Sequence, residues 1–323
     1  MTIHLGIDAG NGAFKVFGAD GGMETLSQVS INGGAHMAAT YGMKRQKEPL
    51  NIVTNYGSFY AGAGAHDYGR PVENLDVERF SGSPEMVALF YAALTDYQER
   101  YGAFGEPLSL LIGLPQEILT KERVEQTKSD VNRWMKGTHQ WTANGKARIA
   151  AVESVNVTSQ PFAGLSDYLL DDAGKFIPAR KHAFTSEVGI VSVGFGTVEL
   201  LAVRGREQVQ RFSAGATSGV RRMLEILNGE GLYSLGEMDI LLRSGQLNTG
   251  TALPVWEREV TGVIEKQWGK AWKRFAAVLI MGGGAILLKD TLPLKFGGKG
   301  YMPDNPVMSI ARGLYKLGLL KRG

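Results

Sequence analysis

The sequence predicts an α/β protein built from two related domains, and three observations carry that prediction. A strand, a Gly-x-Gly loop, a second strand, a turn and a third strand occur twice, with an offset of 184 residues from Asp8 to Ser192. Elsewhere, short apolar runs alternate with segments of helical period. The chain has 323 residues, which at roughly 150 residues per domain makes about two domains. A repeat at this spacing means duplicated domains, since stacked solenoids repeat every few tens of residues.

In the first copy, residues 3–8 form a short apolar strand that enters the loop Ala9-Gly10-Asn11-Gly12. A second strand over 13–19 turns at Asp20-Gly21-Gly22 into a third over 25–31. Asp-Gly between two apolar runs suits the tight turns that join hairpin strands. Residues 32–82, rich in Gly, Tyr and Asn with a charged tip at Lys44-Arg45-Gln46-Lys47-Glu48, are expected to form a small insertion. Ser83-Pro84 supplies an N-cap and a first-turn proline. The helix they open is marked by Val87, Phe90, Tyr91, Leu94, Tyr97 and Tyr101. A buried strand over 108–112 ends at Gly113-Leu114-Pro115, and a polar helix is expected over 121–136 with Val124 and Val131 inward. A strand over 155–158 leads into a helix over 161–170, and the polar, aperiodic stretch 171–182 is the expected interdomain connection.

The second copy runs from a strand over 189–193 through Gly194-Phe195-Gly196-Thr197 to a strand over 198–203, a turn at Arg204-Gly205-Arg206 and a strand over 208–213. Helices are expected over 217–227, stopped by Asn228-Gly229, and over 256–275. A strand over 277–281 then meets Gly282-Gly283-Gly284 and a helix start.

Composition removes several classes of function. There is no cysteine, which excludes disulfide scaffolds, thiol nucleophiles, Fe–S clusters and Cys-type zinc sites. His4, His36, His66, His139 and His182 are scattered without metal-ligand spacing, so they are expected at the surface or in the core. The 43 glycines are about 13% of the chain against a usual ~7%, with no collagen-like period, so the excess belongs to turns and ligand loops. A net charge of +3 is weaker and less clustered than direct DNA binding calls for. Lys266, Lys270, Lys273 and Arg274 are expected to be a solvated helix face, and Trp256, Trp268 and Trp272 core or interface anchors. Met1-Thr2-Ile3-His4-Leu5 lacks the basic start and apolar core of a signal peptide, and no apolar run reaches the ~18 residues of a membrane span. The expected location is the cytoplasm.

The first glycine loop lies between two strands, which separates it from the Rossmann and Walker loops that open a helix. Its glycines allow successive backbone N–H groups to face an anion. Lys15 adds a point charge, and Asp8 at the strand end suits a hydrated Mg²⁺. A glycine-rich hairpin with a surface lysine accounts for the loop alone equally well. The second copy favours the phosphate reading, because two such loops facing each other would clamp a triphosphate tail.

The Asp8-x-Gly10-x-Gly12-x-x-Lys15 loop, the Gly194-Phe195-Gly196-Thr197 hairpin and the strand running into Gly282-Gly283-Gly284 together resemble the actin-fold ATPase superfamily. Within it, the chain is most similar to bacterial and archaeal actin-like proteins of the plasmid-segregation ParM type. Ile112-Gly113-Leu114-Pro115, Thr158-Ser159-Gln160-Pro161 and a closing helix over 306–317 extend the resemblance to nearly the whole chain, in the family's order. The resemblance implies an actin-like fold: two duplicated, mixed-sheet, ribonuclease-H-like units around a nucleotide cleft. Domain I would be 1–170, with the insertion at 32–82 and completed by a C-terminal helix over 305–323; domain II would be 171–304.

Carried over by residue, the resemblance implies that Gly10, Asn11, Gly12, Ala13 and Lys15 bind the β- and γ-phosphates from one side. Gly194, Phe195, Gly196 and Thr197 would bind them from the other, with Gly215 at the edge of the phosphate site. Gly282, Gly283 and Gly284 would pass close to the adenosine. Gln160 takes the place that orients the attacking water, although a helix-start residue capping backbone groups would look the same. Asp8 would hold Mg²⁺ through water. The family's second acidic position is Ser192 here, one negative charge fewer, and slow hydrolysis is the expected result.

The function so implied is a nucleotide-switched polymer of this chain, an ATPase (GTP being the alternative nucleotide) forming cytomotive filaments. Plasmid or other DNA segregation would run through a DNA-bound adaptor. Two alternatives stay open at this level: a small-molecule kinase of the same superfamily, and a non-polymerising scaffold that holds ATP as a structural ligand.

Overall fold

The computed structural model describes residues 2–34, 47–73 and 77–320. Of the charged tip expected at 44–48, only Lys47 and Glu48 fall within the described residues.

Ten strands form the first sheet: β1 (Ile3–Ala9), β2 (Ala13–Gly18), β3 (Gly21–Leu26), β4 (Val29–Ile31), β5 (Leu50–Thr54), β6 (Gly57–Ala61), β7 (Arg70–Pro71), β8 (Leu108–Leu114), β9 (Gly137–Ala143) and β10 (Lys146–Ser159). Their spatial order is β3-β2-β1-β8-β10-β9-β5-β6-β4-β7. β1, β8 and β10 are parallel neighbours at its centre. The strands of the expected insertion extend this sheet through β5, which pairs with β9.

The second sheet takes β11 (Glu187–Val193), β12 (Val198–Arg204), β13 (Glu207–Gln208), β14 (Ala214–Ala216), β15 (Ala277–Met281) and β16 (Gly300–Tyr301). β11 pairs antiparallel with β12 and parallel with β15, as β1 does with β2 and β8. The repeat predicted from the glycine loops is therefore a repeat of strand pairing.

Among the described residues, eight α-helices accompany the sheets: α1 (Pro84–Tyr101), α2 (Val124–Met135), α3 (Gln160–Leu169), α4 (Val220–Leu227), α5 (Leu235–Arg243), α6 (Leu253–Trp268), α7 (Leu292–Lys295) and α8 (Ser309–Leu320). α1 buries Met86, Phe90 and Leu94 against one core with the first sheet. α4 and α6 bury Met223, Trp256 and Ile264 against a second core with the second sheet. A third core lies between the sheets, where Ala163 and Leu165 of α3 and Ile310 and Leu314 of α8 meet Ile190 of β11 and Leu279 of β15. Each fully buried aliphatic side chain there stabilises by about 1.5–3 kcal/mol.

α8 fits only because glycines let backbones touch. A Cβ on Gly6 would run into the carbonyl of Ala311, and one on Gly313 into the carbonyl of Ala163. The contact is locked by Asp167 of α3. Its carboxylate accepts from Nε and Nη2 of Arg312 at 2.7 and 2.6 Å, from Ser309 Oγ at 2.7 Å, and pairs with Lys316 at 3.1 Å.

Several elements differ from expectation for identifiable reasons. The strand expected over 25–31 breaks between β3 and β4. Ser27 there bonds the glycine loop, its N–H to Gly12 O and its Oγ to Gly10 O, instead of continuing the ladder. In place of a strand over 208–213, a 3₁₀ turn over Gln210–Phe212 drives Phe212 into the core beside Phe275. The helix expected over 256–275 starts at Leu253 and ends at Trp268, because Gly269 takes φ 49°. Trp256 and Trp268 are buried as anticipated, their indole N–H groups donating to Ser218 O and Phe212 O. No helix among the described residues is long and apolar enough to cross a membrane.

Candidate functional site

The two Gly-x-Gly loops meet tip to tip. Residues 10–12 join β1 to β2, and residues 194–197 join β11 to β12. Each loop gives up a side chain where the other intrudes. A Cβ on Gly12 would stand 2.7 Å from Phe195 Cβ, and one on Gly196 would stand 2.5 Å from Asn11 Nδ2.

Beside them opens a cleft of about 480 Å³. Asp8, Gly10, Asn11, Gly12, Ala13, Lys15 and Gln160 line one side. Ser192, Gly194, Phe195, Gly196 and Thr197 line the other, with Gly282, Gly283 and Gly284 completing the wall. Gly215 is the exception among the sequence-expected residues. It sits in β14 opposite Glu199 and faces a neighbouring cavity of about 810 Å³, because β14 lies on the far side of β12 from the cleft loops.

Register explains why Asp8, Lys15 and Gln160 converge. Asp8 and Lys15 are directly opposite across β1 and β2, so both side chains leave the same face. β8 carries the register across, since its Gly113 pairs with both Asp8 and Thr158, and α3 starts two residues beyond Thr158. Asp8 Oδ2 pairs with Lys15 Nζ at 3.0 Å, and Asp8 Oδ1 accepts from Gln160 Nε2 at 2.7 Å. All three are at most 9% exposed. With its amide nitrogen committed to Asp8, Gln160 keeps its carbonyl oxygen as an acceptor, and the residue lines the cleft.

The second copy keeps the geometry and changes the chemistry. Ser192 and Glu199 are cross-strand partners in the positions of Asp8 and Lys15. Ser192 is neutral, and the carboxyl of this pair belongs to Glu199, buried, whose Oε1 accepts the backbone N–H of Gln116 at 2.7 Å. Burial pushes the Glu199 carboxyl up to about 7; the Gln116 N–H opposes this, while Glu117 and Asp8 add to it. Such a group holds its proton more tightly folded than unfolded. Its contribution is therefore favourable below the ordinary value of 4.5 and is lost as pH rises through about 7. Glu199→Gln keeps an acceptor for Gln116 and removes the titration. Native stability is expected to fall relative to this variant by about 3 kcal/mol between about pH 4 and pH 8. Thermal unfolding of both proteins across that range checks it; parallel curves would refute it.

Beside the cleft, contacts that sequence reasoning missed reach the start of α5. Gln28 Nε2 donates to Gly236 O at 3.0 Å, His66 Nδ1 lies 2.8 Å from Ser234 Oγ, and Leu235 N–H donates to Glu73 Oε1 at 2.6 Å. Along the cleft, Arg243 pairs with Glu24 at 3.0 Å and with Asp239 at 2.8 Å. These contacts converge on α5, whose start is written in the sequence as a capping box, Ser234 with Glu237. Burial lowers the His66 imidazole below its ordinary value, against the pull of Glu73, Glu237 and Asp67. His139 is a core residue, between Tyr91 Oη and Met135 O.

Among the described residues, no cluster of three or more His, Asp or Glu is arranged to hold a metal ion by itself. Asp8 is the carboxylate at the loop that could hold a Mg²⁺ ion through water, since Mg²⁺ keeps most of its waters and needs few protein ligands.

Two sheets repeating one strand pattern, with paired glycine hairpins at the cleft and helices α3 and α8 between them, define an actin-like two-domain fold. Residues 6–162 match the family model described as "Actin like proteins N terminal domain". The chain is similar to the actin-like protein Alp7A, with TM-score 0.75 and 15% identity over 100% of this chain and 97% of that one. It is similar to an archaeal actin homologue, Ta0583, in complex with ADP (TM-score 0.69, 17% identity, 99% of each chain). It also resembles the subunit of a 15-stranded ParM filament from Clostridium botulinum (TM-score 0.72, 17% identity, 100% and 99%). No curated protein matches the chain.

Proposed function

We propose that this chain is a nucleotide-dependent polymerising ATPase, binding ATP between residues 8–15 and 192–197 and assembling with copies of itself into filaments. The observation that carries the reading is the convergence of Asp8, Lys15 and Gln160 beneath two interlocked glycine hairpins. ADP in a protein of the same fold and filaments formed by another support it. The finer reading is cytomotive filaments in the cytoplasm that segregate plasmid or other DNA through a DNA-bound adaptor. In this reading domain I is 1–170, completed by 305–323, and domain II is 171–304; the packing of α8 on β1 and α3 supports that division.

Lys15 is the charge for the β- and γ-phosphates, and the backbone N–H groups of both loops add neutral donors. Asp8 orients Gln160, and the Gln160 carbonyl oxygen holds a water in line with the terminal phosphate. Phosphoryl transfer depends chiefly on such positioning. Mg²⁺ held through waters at Asp8 would neutralise phosphate charge when bound. Light scattering after addition of ATP with Mg²⁺, beside calorimetric ATP binding, tests the reading. Binding with assembly is expected; binding without assembly leaves the scaffold alternative, and no binding overturns the reading.

Hydrolysis is expected to be slow because Ser192 carries no charge. Ser192→Asp is expected to speed single-turnover phosphate release severalfold. If release does not accelerate, Glu199 across the ladder already supplies the missing carboxylate.

A further inference from the structure

We propose that Arg79 is a positioning residue of the phosphate site, a fixed positive charge beneath the first glycine loop that favours polyphosphates over monophosphates. This rests on the nucleotide reading above.

Arg79 lies in the 3₁₀ turn Val77–Ser81 and is only 3% exposed. Its Nη2 donates to Ala9 O at 3.4 Å, and its Nε, also buried, has no hydrogen-bond partner. The Phe80 ring centroid is 5.0 Å away. Among the described residues, no carboxylate lies within 4.0 Å of its guanidinium. Burial lowers its pKa to about 10 and Glu85 pulls the other way, so the group stays charged at neutral pH. With Asn11, Gly12 and Phe195, and with the more distant carboxylates of Glu73, Glu85 and Asp239, Arg79 lines a cavity of about 40 Å³, room for water and little else.

A buried guanidinium without an ion-pair partner is a cost to the fold. Desolvating such a cation is unfavourable, and among the described residues neither a carboxylate within 4.0 Å nor a full set of hydrogen bonds offsets it, Glu85 acting from further away. Its position suggests what does. The carbonyl it touches belongs to the peptide whose N–H is that of Gly10, in the loop facing the cleft. Donation to that carbonyl polarises the peptide and makes the Gly10 N–H a better donor. The charge also raises the potential at the loop, and each added phosphate feels it. Arg79 therefore destabilises the empty protein and is compensated when a polyanion arrives.

This separates Arg79 from an ordinary structural arginine, whose loss lowers stability. The test is Arg79→Met in the full chain, with calorimetric binding of AMP, ADP and ATP (each with Mg²⁺) and thermal unfolding without nucleotide. The expected result is about tenfold weaker ATP binding, less than about twofold for AMP, and an unfolding midpoint equal to or above native. Equal losses for the three nucleotides, no loss, or a lowered midpoint would overturn it. Arg79→Lys keeps the charge and should retain the native preference for ATP over AMP even if Arg79→Met does not fold; loss of that preference also refutes the inference. Native protein that binds no ATP overturns the nucleotide reading itself, whereas native binding with no effect of Arg79→Met overturns this inference alone.

Discussion

Gln160→Ala is expected to slow single-turnover phosphate release about 100-fold while leaving ATP affinity within about threefold of native. The Gln160 side chain contributes one bond to the folded protein, Nε2 to Asp8 Oδ1 at 2.7 Å, and Asp8 keeps Lys15 when that bond is lost. Binding therefore has little to lose. Hydrolysis, in the proposed function, loses the carbonyl that aligns water, an interaction realised as the reaction proceeds. Assembly should persist, with longer-lived polymers. Quenched-flow hydrolysis and calorimetry on the same preparation separate the two effects. Equal losses in binding and turnover would make Gln160 a helix-start residue that shapes the site.

Asp167→Ala is expected to lower the unfolding free energy by about 3–5 kcal/mol, because it leaves cations buried without their counter-charge. Lys316 is 8% exposed at its side chain, and Arg312 makes both of its side-chain hydrogen bonds to Asp167. Asp172 still reaches Lys316 at 3.3 Å, but from a position open to solvent, where screening weakens the pair. Denaturant unfolding without nucleotide measures the change. A loss below about 1 kcal/mol would mean that α3 and α8 are held by apolar contact alone.

The central strands and both glycine hairpins were legible because their signals are local: short apolar runs, then Gly-x-Gly. Gln160 was legible only through family resemblance, since nothing in Thr158-Ser159-Gln160-Pro161 says that its amide reaches Asp8, 152 residues away. The hairpin of β9 and β10 carried a signal that went unused, Asn144-Gly145 with φ of 49° and 75°, flanked by the alternation of His139, Trp141 and Ala143 inward. Only its last strand residues had been expected. The capping box of α5 was equally present and equally missed. Arg79 and Glu199 belong to another kind. Their burial comes from packing between distant segments, which no window along the chain contains.

The placement of α8 has a consequence for how the protein is made. It packs on β1 and β8, yet it begins at Ser309, 300 residues after β1 ends at Ala9. At roughly 5–20 residues per second, about 15–60 s separate their synthesis. Until then the contacts of the first sheet with α8 are unmade, and Asp167 waits without Arg312 and Lys316. The first half of the molecule is thus a late finisher on the ribosome, although it is the first half to be translated.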